Sequence, residues 1–336
     1  MSEFYWRKAS STRLSDIPSA ARIVDLKAAR IRSTLWPLVK YLIHERPAAI
    51  LVAMWPLTGI AALAKLVAKF PGRLVVSEHN ALSFTPAYRG WSGRIHRLFG
   101  AALYRLSDSL VCVSNGVRAD ILSCTRLAPD HVRVVYNPVR RPHGQTRANP
   151  AILKQWQQGE ARLISVGSLK AQKDFPTLIH ALARLRESKD ARLLLIGEGE
   201  RRAELEALII SLDLVGAVQM PGFVPDPYPY LAHADLFVLS SAWEGLGNVI
   251  IEALVAGVPV VSTDCPSGPA EILDHGRYGR LVPVGDPKAL AQAITETLNT
   301  EVDRHILQRR GNEFSVARAA AQYLDLLIPG SQKTLP

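Results

Sequence analysis

Short runs of aliphatic and β-branched residues recur along this chain, each followed by a helical pattern, and this alternation constrains the fold more than any other feature. In the first part, Ala48–Met54, Arg73–Ser77, Ser109–Val113 and His131–Tyr136 read as strands, with helical periodicity over Leu57–Phe70 and Gly93–Leu106. Strands that alternate with helices argue for a parallel sheet covered on both faces. A polar stretch from Arg140 to Glu160 interrupts the pattern, and the alternation then restarts. Strands are expected at Arg162–Val166, Arg192–Ile196, Val218–Met220, Asp235–Leu239 and Pro259–Ser262. Helices are expected at Pro176–Glu187, Arg201–Leu212, Asn248–Ala256, Pro287–Asn299 and Val316–Leu327. The expectation is an α/β protein with two doubly wound halves. Residues 1–140 form the first, 141–160 a linker, 161–315 the second, and 316–336 a C-terminal helix and tail. A chain of 336 residues suits two cores better than one.

Between the strands Asp235–Leu239 and Pro259–Ser262 lies the run most informative about function, Ser240-Ser241-Ala242-Trp243-Glu244-Gly245-Leu246-Gly247-Asn248-Val249-Ile250-Ile251-Glu252. Gly245 and Gly247 let backbone N–H groups approach an anion closely, and the first turn of the following helix offers unpaired donors. A carboxylate beside a phosphate would repel it, so Glu244 and Glu252 suit sugar hydroxyls better. A ligand carrying both phosphate and polyol fits the whole run. Taken alone, Glu252 reads equally well as a residue on the favourable end of a helix dipole.

The run resembles the donor-site signature of retaining glycosyltransferases of the glycosyltransferase 4 type. Its Glu-x7-Glu spacing is followed by Ala253-Leu254-Val255-Ala256-Gly257-Val258-Pro259-Val260-Val261. The resemblance extends from about Val24 to Leu327 and implies a GT-B fold, two Rossmann-like domains facing a cleft. It also implies roles for other loops. Gly167-Ser168-Leu169-Lys170-Ala171-Gln172-Lys173 leaves a strand, and Lys173 can meet a phosphate as a point charge. The loop is similar to the one that binds the donor diphosphate, although Ser168 stands where much of the family has arginine. Lys170 is then the candidate second cation. Gly197-Glu198-Gly199-Glu200 mimics the start of a dinucleotide fingerprint, but Arg202 takes the third glycine position, so no nicotinamide site is expected. By resemblance Gly199 lines the nucleotide pocket, and Phe223 and Val224 lie beside the base. His79 follows a buried strand and, by resemblance, faces the donor sugar. Ser114 is an acceptor-side candidate, and Tyr136-Asn137-Pro138-Val139 reads as scaffold.

Charge divides the chain. Residues 1–140 hold 20 Lys and Arg against 8 Asp and Glu, and the rest holds 20 against 22. The basic excess belongs to the first half, and the run from Tyr88 to Phe99 mixes cations with aromatics. An anionic membrane surface and a lipid-linked acceptor are the candidate partners. No base-reading motif accompanies the charge, so nucleic acid is not expected. Ala48–Ala64 is apolar but interrupted by Pro56 and Gly59, and it reads as strand, turn and helix rather than a membrane span. Cys112, Cys124 and Cys265 show neither metal spacing nor a disulfide framework, and no metal or cofactor is implied. No signal peptide is read, and the expected location is cytoplasmic, peripheral at the inner face of the cell membrane. The family's opening strand and glycine-rich loop are not legible in Met1–Ala21, so the first domain is expected to lack a βα unit and to expose an apolar edge.

The resulting expectation is transfer of a hexose or N-acetylhexosamine from a nucleotide-sugar, a UDP-sugar by preference, to a glycan or lipid-linked acceptor. His79, Lys173 and Glu244 are the catalytic candidates. Gly167, Ser168, Lys173, Gly199, Phe223, Val224, Glu244, Gly245, Leu246, Gly247, Asn248, Val249 and Glu252 are the donor-binding candidates. A non-catalytic nucleotide-sugar-binding remnant and a nucleotide-sugar epimerase of similar fold are the alternatives.

Overall fold

In the computed structural model, the described residues are 3–5, 19–84, 99–139 and 147–330. They form two parallel sheets and a separate two-stranded pair. Strand β1 (Glu3–Tyr5) runs parallel to β2 (Arg22–Val24). The opening stretch read as strandless therefore holds a short strand, which pairing with β2 supports and local composition does not announce. The basic and aromatic run from Tyr88 lies outside the described residues up to position 98.

The first sheet contains β3 (Ala49–Ala53), β4 (Arg73–Glu78), β5 (Ser109–Cys112) and β6 (Val132–Val134), in that order across the sheet. The second contains β7 (Ala161–Val166), β8 (Ala191–Ile196), β9 (Val218–Gly222), β10 (Leu236–Leu239), β11 (Val260–Thr263) and β12 (Arg280–Val282). Its spatial order is β12-β11-β10-β7-β8-β9. All pairings are parallel. The order reverses between β7 and β10. At such a switch point the loops leaving two adjacent strands diverge to opposite faces and open a crevice at the carboxyl ends.

The apolar stretch Ala48–Ala64 divides into β3 and helix α2 (Leu57–Val67). Among the described residues no helix is long and apolar enough to cross a membrane. Three helices up to Trp156 were not legible in the sequence. Helix α1 (Leu35–Glu45) carries Pro37 in its first turn, where a missing N–H costs nothing. Helix α3 (Asn115–Thr125) is mostly polar and starts on Ser114, whose Oγ accepts from the Val117 N–H. Helix α4 (Pro150–Trp156) lies inside the expected linker, so that stretch is not linker throughout. The Asn149–Pro150 pair, an N-cap followed by proline at the first helical position, is the signal that marks it. Trp156 anchors this helix in the second domain. It is fully buried, and its indole N–H is shared between the carbonyls of Leu163 and Arg192.

Helix α5 (Phe175–Leu185) buries Phe175, Leu178, Ile179, Leu182 and Leu185 at helical spacing against one face of the second sheet. Helix α6 (Arg202–Ser211), α7 (Asn248–Val255) and α8 (Pro287–Leu298) follow the expected pattern. Helix α9 (Arg304–Asn312) joins them, and α10 (Val316–Leu327) returns to the first sheet. There Ala319, Tyr323, Leu326 and Leu327 pack with Val75, Val111 and Val135. The last described helix therefore packs on the first domain.

Candidate functional site

The sequence candidates come together where the carboxyl ends of the two sheets face each other. Lys173 leaves the loop after β7 and Glu244 the loop after β10, the two strands flanking the switch point. Lys173 Nζ donates to Glu244 Oε1 at 2.5 Å, and the Ser241 hydroxyl donates to the same oxygen at 2.6 Å. Both charged side chains are largely buried, at 14% and 7% exposure. Ser240 Oγ bonds the Lys173 carbonyl, and the Gln172 side-chain amide bonds the Trp243 carbonyl. The two loops are thus stitched together before any ligand arrives.

Close backbone contact explains the glycines. A Cβ on Gly197 would fall 1.8 Å from the Gly167 carbonyl oxygen, and one on Gly199 would crowd the Leu169 backbone. The loops after β7 and β8 therefore approach closely only because glycine stands at 197 and 199, and the Leu169 N–H donates to the Glu198 carbonyl at 2.9 Å between them. Gly247 adopts φ +91° as the N-cap of α7 and brings no side chain to the helix end. The first-turn amides of Asn248 and Val249 consequently face the loop side, the geometry that attracts an anion. Leu246 and Gly245 are buried, while Asn248 is exposed and Val249 half-buried. Ser168 and Lys170 are exposed at the rim, and neither is drawn into the Lys173–Glu244 pair. Phe223 is 68% exposed, with Val224 half-buried beside it. Glu252 is half-buried on α7, and its charge helps to raise the Tyr228 phenol, although burial is the larger cause.

His79 stands just past β4 in the first domain. Its Nε2 lies 3.3 Å from Ser77 Oγ, which lies 3.2 Å from the Tyr323 hydroxyl on α10. Burial pushes the imidazole below the ordinary histidine range, so the ring is neutral near pH 7. The His79 carbonyl packs directly over Gly245, where a Cβ would sit 1.9 Å from it. Phe84 stacks on Trp243 across the same junction, with ring centroids 5.9 Å apart and planes 8° from parallel. Ser114 takes a different place from its expected acceptor-side one. It is fully buried, caps α3, and donates to the Gly245 carbonyl at 2.6 Å. Asn137 reaches Asn248 at 3.3 Å.

Sequence reading missed two carboxylates. Glu78, on β4, is buried and accepts from the Thr58 hydroxyl at 2.7 Å, the Tyr104 hydroxyl at 2.9 Å and the Trp55 N–H at 3.3 Å. Burial raises its carboxyl above the usual range despite these bonds. Glu271, in the short helix Pro269–Ile272, meets the N-terminus of α3. Neither carries a local motif; Glu78 adjoins His79, and only that adjacency could have drawn notice. Among the described residues, no cluster of three His, Cys, Asp or Glu could hold a metal ion.

Comparison with known proteins shows the family and the fold. Residues 160–300 match the family of glycosyl transferases group 1, and residues 6–141 match glycosyltransferase family 4. The lipopolysaccharide core biosynthesis glycosyltransferase LpsE of Rhizobium meliloti (strain 1021) is 32% identical over 276 residues, covering 76% of each chain. The N-acetylgalactosamine-N,N'-diacetylbacillosaminyl-diphospho-undecaprenol 4-alpha-N-acetylgalactosaminyltransferase of Campylobacter jejuni is 29% identical over 260 residues. That match covers 75% of this chain and 69% of the relative. Among solved structures, Anabaena HepE in complex with UDP-glucose shares the fold at a TM-score of 0.74 and 22% identity, over 91% of this chain and 85% of that one.

Proposed function

The chain belongs to the glycosyltransferases of the family 4 type, with a GT-B fold, and on that premise we propose that it moves a hexose or N-acetylhexosamine from a UDP-sugar to a glycan or lipid-linked acceptor with retention of configuration. The observation that carries this reading is the buried Lys173–Glu244 pair beside the open N-terminus of α7. Across the two loops each charge satisfies the other. A nucleotide-sugar separates them usefully: its diphosphate takes Lys173 together with the Asn248 and Val249 amides, and its sugar hydroxyls take Glu244. Charge that grows on the departing diphosphate is then met by donors already in place, which lowers the barrier without reorganisation at the moment of reaction. Glu252, on the next turns of α7, suits the ribose. His79, neutral and above Gly245, closes over the sugar. No protein base is required if the leaving phosphate takes the acceptor's proton.

The acceptor class rests on the relatives. The names of the Rhizobium and Campylobacter proteins point to lipopolysaccharide core and undecaprenol-linked glycans, and the basic first domain complements an anionic lipid carrier or membrane surface. The base rests on the UDP-glucose complex of the Anabaena neighbour. Thermal shift of the purified chain with UDP, GDP, ADP and several UDP-sugars tests the donor half, beside Glu252→Ala. A ligand at about 100 times its Kd adds roughly 2.7 kcal/mol, a visible shift. Stabilisation by uridine nucleotides alone, lost in the variant, supports the reading. Stabilisation that survives both Glu252→Ala and Glu244→Ala overturns the site assignment.

A further inference from the structure

Helix α3 belongs to the first domain, yet two of its end amides are satisfied by the second. Glu271 Oε2 accepts from the Asn115 N–H at 2.8 Å, the Asn115 side-chain amide at 3.0 Å and the Tyr136 hydroxyl at 3.0 Å. Its Oε1 accepts from the Gly116 N–H at 2.8 Å. One carboxylate thus takes four donors across the domain junction, two of them at the positive end of a helix dipole. Glu271 is itself held firmly. Arg310 donates to the carbonyls of Glu271 and Ile272 at 2.7 and 2.9 Å, and its guanidinium lies over the rings of Tyr278 and Phe314. Phe314 meets Tyr136 edge-on at 5.4 Å. The approach leaves no slack, because a Cβ on Gly116 would fall 2.7 Å from the Ser267 backbone and hydroxyl. The residue before this helix, Ser114, is the one that grips the Gly245 carbonyl in the donor loop.

We propose that Glu271 is a positioning residue that latches the closed cleft, seating α3 so that Ser114 and the His79 carbonyl lie against the Glu244–Gly247 loop. The inference rests on the glycosyltransferase reading and deepens it. When the domains part, the freed amides and the carboxylate both return to water, so the latch is reversible. When it closes, it sets the distance between the acceptor-side face and the donor, and a displacement of about 1 Å there costs up to roughly 100-fold in rate. Glu271 touches no reacting atom in this scheme.

Three variants test it: Glu271→Gln, Gly116→Ala and the milder Tyr136→Phe. Steady-state transfer and calorimetric UDP binding are measured for each. Hydrogen exchange of the Asn115 and Gly116 amides is followed with and without UDP-sugar. The expected result is a kcat lower by about 10- to 100-fold for the first two and a smaller loss for Tyr136→Phe. UDP binding is expected to stay within about twofold, and ligand-induced protection of the two amides to disappear in Glu271→Gln. Protection that persists in Glu271→Gln overturns the latch, as does unchanged kcat in all three variants. Should the wild-type chain transfer no sugar at all, the functional reading fails separately, and the exchange data still decide whether the latch forms. Tyr136→Phe removes a single bond and remains informative if Glu271→Gln does not fold.

Discussion

The two sheets of this protein are built from the same alternation of strand and helix, yet among the described residues only the second reverses its strand order and opens a crevice there. The four strands β3 to β6 lie in sequence order, so each step across the sheet goes the same way. The second sheet begins in its middle, at β7, and steps outward in both directions, which parts the loops after β7 and β10 and places Lys173 opposite Glu244. In the proposed function the second domain is the donor platform, and the first supplies the face that closes on it. Burial of the strands follows their place within each sheet. Strands β4, β5, β8, β10 and β11 are almost wholly buried, whereas β3, β9 and β12, at the sheet edges, are not, with Leu51 on β3 45% exposed and Met54 just beyond it 51% exposed. The second domain also owns a core confined to itself, while the core of the first is continuous with residues of the second. The first domain is completed by α10, whose Ala319, Tyr323, Leu326 and Leu327 pack on its sheet.

This contrast can be broken or sharpened by experiment. Leu178→Ala empties a fully buried position in the core confined to the second domain and is expected to cost about 4 kcal/mol in a urea unfolding curve. Hydrogen exchange that rises in the second sheet ahead of the first would confirm that this core is independent; a uniform rise would merge the two domains into one folding unit. Glu244→Gln leaves Lys173 buried without its counter-charge. A loss of about 3 kcal/mol is expected, and transfer should fall beyond detection in a radiolabelled-donor assay. Tyr323→Phe frees Ser77 from α10 and should cost about 1 kcal/mol, read as faster exchange in β4 with β8 unchanged.

Acid provides a test on the first domain alone. The folded-state pKa of Glu78 is raised, so its contribution to stability is full below the unfolded value of 4.5 and is lost as pH rises through the folded pKa. Measured by Tm, wild type should therefore gain on Glu78→Gln as pH falls from 7 toward 5, and a gap independent of pH would show that the carboxyl titrates normally. His79 acts the other way. Its folded pKa lies below the ordinary 6.5, so the stability it contributes is present above that value and fades as pH falls through the folded pKa. The comparison should be made both in wild type and in His79→Asn. The smallest effect is expected at the edge: Leu51→Ser should change stability by less than about 0.5 kcal/mol, with any gain appearing as solubility in light scattering.

Much of this was legible along the chain. Every expected strand of both sheets appears, and α10 keeps its expected bounds of Val316–Leu327. The donor loop could be read because its cues are local: a strand, two glycines and a helix start within about twenty residues. Helices α1, α3 and α4 were not, because a proline, a polar composition or a linker-like context hid a pattern that tertiary packing stabilises. Ser114 was legible as a residue near the cleft but not as a buried helix cap gripping Gly245.

What the sequence determined by itself is therefore the set of elements and the loop that can meet a phosphate and a polyol, since propensity, period and glycine placement act over a few residues. What only the tertiary structure decided is which distant side chains meet. Lys173 and Glu244 are 71 positions apart, Asn115 and Glu271 are 156, and Ser77 and Tyr323 are 246. No local rule reaches that far. Strand order and the return of the last helix bring these groups within hydrogen-bond distance, because buried polar groups require partners and the fold settles where those partners stand.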